Sequence, residues 1–298
     1  MRVSSNQYHL TTIRNIQQTT AEYSKLSTQL ATNQRIQKPS DDPLGSVMLL
    51  TLNGELTKLE QYQANMDAVH FNLGQQESQL NSIVNTLFSV QEIVTTAADG
   101  AMGQAELQAF AQELSVLFPA IVDLLNAKDG NGNYYFSGSL TGVKPFEPDA
   151  GGVYQYLGDD SVRQVAVSDN SSVPSNILGS DLVPGVTFLN EMQTYLDLIS
   201  TAPVAGVGTE SRDLLGHIND FMASVSGEVT RIGGTLASLD EMALGNADIA
   251  LFTEQLRDDI KEVDYPEAYV NMNQALASYE SSLKVYSSVS KLTLFSYV

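Results

Sequence analysis

The sequence predicts a mainly α protein: a long antiparallel, coiled-coil-like helical rod drawn from both halves of the chain, with a small β-rich insertion in the middle. Three observations carry that prediction. A heptad seam runs from Pro43 to Ala98 with no proline after its first residue. A second long run with the same spacing lies in the other half. Between them the composition changes to short β-type stretches set among Gly, Ser, Asn and Pro.

The first helical pattern covers Ser5 to Thr32, with apolar residues at Leu10, Ile13, Ile16, Tyr23, Leu26 and Leu30. Gln, Thr, Ser and Asn surround them, so this helix has weak intrinsic propensity and needs a partner. The segment Arg35-Ile36-Gln37-Lys38-Pro39-Ser40-Asp41-Asp42-Pro43 then breaks the pattern and predicts a joint. Asp42 suits a helix N-cap, and Pro43 suits the first helical position, where a missing N–H costs nothing. From there Leu52, Leu59, Met66, Leu73, Leu80, Leu87 and Val94 recur every seven residues, and Tyr62, Val69, Gln76, Ile83 and Val90 form a second track. Such a helix would be roughly 80 Å long. Asp99-Gly100 is its natural stop.

A third helix is predicted from Glu106 to Lys128, kinked or split at Pro119 and ended by Asp129-Gly130-Asn131-Gly132-Asn133. Tyr134-Tyr135-Phe136, Val153 to Leu157 and Val162 to Val167 read as strands, the last two joined as a hairpin through Gly158-Asp159-Asp160-Ser161. Helical spacing returns at Phe188 to Ile199. A second long run then passes through Ile218, Met222, Val225, Val229, Ile232, Leu236 and Leu239, slips near Gly245, and resumes at Ile249, Phe252, Leu256, Ile260 and Val263. After a break at Asp264-Tyr265-Pro266, the last helix carries Met272, Leu276, Tyr279, Leu283 and Tyr286, ahead of an apolar end with Leu294 and Phe295. This near-palindrome predicts three parts: paired terminal helices from 1–42 and 266–298, a rod from 43–130 and 188–265, and an outer insertion at 131–187.

A net charge of −20 argues against nucleic acid or an anionic membrane face as partners. No stretch approaches the length of an uninterrupted apolar span, and the first residues lack the apolar core of a secretory signal. The chain has no cysteine, hence no disulfide framework and no thiol chemistry. His9, His70 and His217 are scattered, without a second His at i+4 for zinc. Asp129 to Asn133 begins like a calcium loop but lacks the glycine at the sixth position and the acid at the twelfth. Phosphate loops, dinucleotide loops and the nucleophile elbow are absent. Asp258, Asp259, Glu262 and Asp264 lie beside Arg257 and Lys261 and read as a solvated helix face. The prediction is no enzyme, no cofactor, and no catalytic or metal site.

Several motifs together resemble the bacterial flagellin superfamily. Arg35, Pro39, Ser40, Asp41, Asp42 and Pro43 lie in a segment similar to its N-terminal signature, in the form of the flagellar hook-associated protein 3 branch. Asn133-Tyr134-Tyr135-Phe136-Ser137-Gly138-Ser139 with Pro145-Phe146, Val153 to Asp159 with Arg163, and Val263-Asp264-Tyr265 with Leu292 to Val298 are similar to further tracts of that branch. Pro266 stands where the branch often has Ala, and Ser296 where it often has Asp or Asn.

The resemblance implies a structural junction protein of the flagellum, between a hook-side partner (hook-associated protein 1) and the flagellin filament. It implies self-assembly into a ring or helical layer. It also implies export through the flagellar type III system, with a chaperone on the C-terminal helix, to an extracellular location. The assembly residues would be Leu10, Ile13, Ile16, Tyr23, Leu26, Leu30, Met272, Leu276, Tyr279, Leu283, Tyr286, Leu294 and Phe295, buried within or between subunits. The alternative is a minor flagellin that forms the filament itself.

Overall fold

The computed structural model describes the backbone of residues 2–99, 102–201 and 206–295, and the side chains of 7–288 within that range, residue 8 excepted. The elements in order are α1 (Arg2–Thr32), α2 (Pro43–Ala98), α3 (Gln104–Leu125), β1 (Phe146–Pro148), β2 (Tyr154–Tyr156), β3 (Gln164–Ala166), β4 (Ser172–Pro174), a short α4 (Gly179–Leu182), α5 (Thr187–Ser200), α6 (Gly208–Lys261) and α7 (Tyr265–Phe295). Helix therefore dominates, with small antiparallel strands in the middle, as the hydrophobic periodicity predicts. Cα packing divides the chain into two compact units, 1–58 with 248–298 and 59–247. The boundaries fall inside α2 and α6.

The second unit is built on the heptad seam of α2. Leu59, Met66, Val69, Leu73, Leu80, Ile83, Leu87, Val90 and Val94 are all buried. The facing seam of α6 is Leu214, Ile218, Phe221, Val225, Ile232 and Leu239. The two helices run antiparallel, because Asn246 Nδ2 donates to Leu59 O (3.0 Å), His70 faces Asp240 (3.6 Å) and Gln91 Nε2 donates to Asn219 (2.8 Å). α3 and α5 complete the bundle, and Phe188 of α5 stacks on Phe221 at 4.7 Å between centroids. Among the described residues α3 is the one helix long and apolar enough to cross a membrane, but its Leu107, Leu114, Phe118, Ile121 and Leu125 belong to this core.

The insertion is fastened to the bundle by polar groups on α2. Gln76 holds a core position of the heptad, only 1% exposed, and its amide explains why. Its Oε1 accepts the Ile177 N–H (3.0 Å) while its Nε2 donates to Ser175 O (3.4 Å). Asn65 Nδ2 donates to Ala166 O and Tyr62 OH to Asp169, both at 2.7 Å. Phe136, Phe146, Val167 and Ile177 complete the attachment by entering the same core as the rod helices.

Three local expectations change. The predicted hairpin through Gly158 to Ser161 does not form: β2 pairs antiparallel with β1, and β3 with β4. The chain between the two hairpins is instead held by Asp159, whose carboxylate accepts from the Ser139 N–H, the Ser139 hydroxyl and the Ser161 N–H. Gly138, at φ +70°, leaves no room for a Cβ against Asp159, so this tie requires glycine there. Tyr134-Tyr135-Phe136 makes an isolated bridge from Tyr134 to Lys128 rather than a strand. Lastly, α3 is not split at Pro119, which lies inside a single helix.

Candidate assembly surface

Two short loops and four helix ends of the first unit form its joint. α1 closes with Asn33 in the left-handed region (φ +52°), and Gln34 N–H returns to Gln29 O, the hydrogen bond of a Schellman stop. Arg35 then reaches the end of α6. Its backbone N–H donates to Lys261 O (2.8 Å), and its guanidinium donates to Ile260 O (3.1 Å) and to Asp42 Oδ2 (3.2 Å). Backbone N–H and guanidinium of one residue thus satisfy two orphan carbonyls at a helix C-terminus, where positive charge is favoured, and the guanidinium ties that end to the cap of α2.

Asp42 is the N-cap that the sequence predicts, with its Oδ1 accepting the Gly45 N–H at 2.9 Å. That hydrogen bond first, and the Arg35 guanidinium second, hold the Asp42 carboxyl below its ordinary range. Asp41 is lowered too, chiefly by Lys25 at 3.0 Å, with the Lys38 and Gln37 N–H groups assisting. Pro39 and Ser40 form the exposed turn between them, and Pro43 opens α2. Across the joint, Asp264 caps α7 through the Glu267 N–H (3.1 Å), which puts Pro266 in the first turn, where proline is tolerated.

α1 packs on α7 along a seam of mixed polarity. On α1 it is His9, Thr12, Ile16, Thr19, Tyr23, Leu26 and Leu30; on α7 it is Ala268, Met272, Ala275, Tyr279, Ser282 and Tyr286, all buried or half-buried. His9 meets Tyr286 edge to face at 5.7 Å. Of the residues singled out from sequence, Ile16, Tyr23, Leu26, Leu30, Met272, Tyr279 and Tyr286 meet in this seam. Leu10, Ile13, Leu276 and Leu283 do not: they are exposed on the flanks. The side chains of Leu294 and Phe295 lie outside the described residues.

The flanks carry more apolar surface than the four-and-three spacing indicates. Tyr269, Leu276 and Leu283 stand seven residues apart on α7, a second stripe beside the one α1 covers. On α6 the apolar stripe and the buried stripe part company after Gly245: Ala250 and Thr253 turn inward, while Ile249, Leu251 and Phe252 turn out, Phe252 to 67% exposure. At the start of α2, Leu44, Val47, Met48 and Leu50 are exposed, Leu44 by 80%. A signal for Tyr269 was present in the seven-residue repeat. Leu44 to Leu50 carried none, because they read as a helix start.

Joint and terminal pair together define a class of protein, one whose two chain ends form a helical pair hinged onto two longer helices. Residues 3–141 match the family model described as the bacterial flagellin N-terminal helical region. Along its whole length the chain is similar to flagellar hook-associated protein 3. It is 22% identical to the Salmonella typhimurium protein and 24% to that of Escherichia coli, in each case over 99% of both chains. A solved structure from Vibrio parahaemolyticus, assigned to the flagellar hook-associated proteins, is 29% identical, with a TM-score of 0.69 over 74% of this chain and 100% of that one. By these names the chain is similar to hook-associated proteins of the flagellum.

Proposed function

We propose that this chain joins the flagellar hook to the flagellin filament, and that it assembles by burying the apolar flanks of its first unit against further copies. One observation carries this. Among the described residues, fifteen of the twenty-five exposed large apolar side chains lie in the first unit, which holds little more than a third of the chain. Monomeric surfaces rarely gather apolar side chains so densely without a partner for them.

On this reading the terminal pair, 1–42 with 266–298, is the inner assembling part and 131–187 faces outward. Hook-associated protein 1 lies on the hook side and flagellin on the filament side. The chain leaves the cell through the type III exporter with a chaperone on its C-terminal helix, and it performs no catalysis. Burying one Leu is worth about 1.5–3 kcal/mol, or roughly tenfold to a hundredfold in association per contact. Leu283→Asp, on an exposed flank, should therefore abolish joining of hook to filament while leaving the helical content of the isolated chain unchanged. Normal junctions built from Leu283→Asp would remove α7 from the assembly. Indefinite polymerisation of the purified wild-type chain would favour a filament role instead.

A further inference from the structure

The charge of this protein is divided as unevenly as its apolar surface, and in the opposite sense. The first unit has ten Lys and Arg against twelve Asp and Glu, a net of −2. The second has five against twenty-three, a net of −18. The apolar unit is nearly neutral, and almost all of the negative charge is on the other.

We propose that self-association through the first unit is gated by ionic strength: repulsion between the second units of neighbouring copies opposes it, and cations that screen this repulsion release it. This rests on the assembly reading above and adds its regulation. Each second unit is tied to its first unit through both α2 and α6, so copies that meet through one must carry the other along. Like charges brought within a Debye length repel. That length falls from about 30 Å at 0.01 M salt to about 10 Å at 0.1 M. The net of −18 is what remains after all five cations of the second unit are counted, Arg231 beside Glu228 at 2.5 Å among them. An attractive charged interface would weaken with salt, whereas this one strengthens.

The test is sedimentation of the purified full-length chain from about 0.01 M to about 0.5 M NaCl, a range over which screening becomes nearly complete. Three proteins are compared. The first is wild type, the second carries Leu276→Asp and Leu283→Asp, and the third carries Glu60→Gln, Glu92→Gln, Glu113→Gln, Asp213→Asn and Glu241→Gln, five exposed carboxylates of the second unit. The third variant lowers the second unit from −18 to −13, which cuts copy-to-copy repulsion to about half, since it goes as the product of the charges.

Wild type should associate at least about tenfold more tightly at the high end of this range than at the low end. The five-carboxylate variant should associate more tightly than wild type in low salt and show a shallower rise. Equal salt responses of these two proteins would mean ordinary salting out, and association that weakens with salt would mean attractive charges; either result overturns the proposal alone. Association that survives the Leu276 and Leu283 changes undiminished, or no association at any salt, overturns the assembly reading itself and the proposal with it.

Discussion

Arg35 shows how much of the joint depends on one side chain. Its guanidinium holds the Ile260 carbonyl at the end of α6 and the cap of α2, so Arg35→Ala should raise amide exchange at residues 34–46 and 260–264, with a stability loss of about 1 kcal/mol for this part-exposed group. Lys should restore little, since it lacks the planar fork that serves both partners. The Asp41 and Asp42 carboxyls are held below their ordinary range. Their contribution is thus present above the unfolded carboxylate range and lost as pH falls through the lowered values. Exchange at the joint should rise in that acid window and hold steady near neutrality. Gln76 is the corresponding residue of the second unit: Gln76→Leu would leave the Ile177 N–H and Ser175 carbonyl without their side-chain partner, for about 1–3 kcal/mol, readable as a fall in the urea midpoint. Tyr156 sits beside it in chemistry if not in place. Burial raises its phenol to about 12, so its share of stability is present below the ordinary phenol value of about 10 and is lost as pH climbs through about 12. In a spectrophotometric titration it should be among the last tyrosines to ionise.

The helices differ in what holds them. α2 within the second unit has apolar residues at nearly every seam position, with Gln76 as the polar exception that fixes where the insertion docks. The α1–α7 seam instead alternates Ile16, Tyr23 and Leu26 with Thr12, Thr19 and Ser282. Hydroxyls there form local bonds, as Thr19 does with Asn15 O at 3.1 Å, and contribute little apolar burial. The pair should be only marginally stable until other copies cover its flanks. Thr12→Leu with Thr19→Leu should add about 1–3 kcal/mol to it, seen as slower amide exchange across α1 in the isolated chain.

The whole molecule should therefore unfold in two steps. Heating or urea should open the first unit before the second, because the second buries the longer seam and most of the insertion. Hydrogen exchange should find 1–32 and 267–295 poorly protected while 66–94 and 214–239 are strongly protected. Equal protection in both would make the chain ends a finished domain and remove the driving force for assembly. The same division places nearly all of the net charge on the unit that is already stable.

How much of this was legible in advance follows from which forces are local. Pro43 and Asp42 mark the start of α2 through capping chemistry within three residues, and the heptad from Leu59 to Val94 marks its buried face through a period that belongs to the helix alone. The joint motif could be seen as a motif, but not as a clamp, because Arg35 and Ile260 are brought together only by folding. Strand pairing escapes the sequence for the same reason. Val153 to Leu157 and Val162 to Val167 are adjacent in sequence, yet Asp159 is engaged by Ser139 and each strand turns to its other neighbour. The repeat of apolar residues in α6 and α7 revealed two helices that bury something. Which side each buries within its own chain, and which it leaves for another, depends on where the partner helix lies. Spacing along one helix fixes a stripe; only packing in three dimensions decides whether that stripe is core or surface.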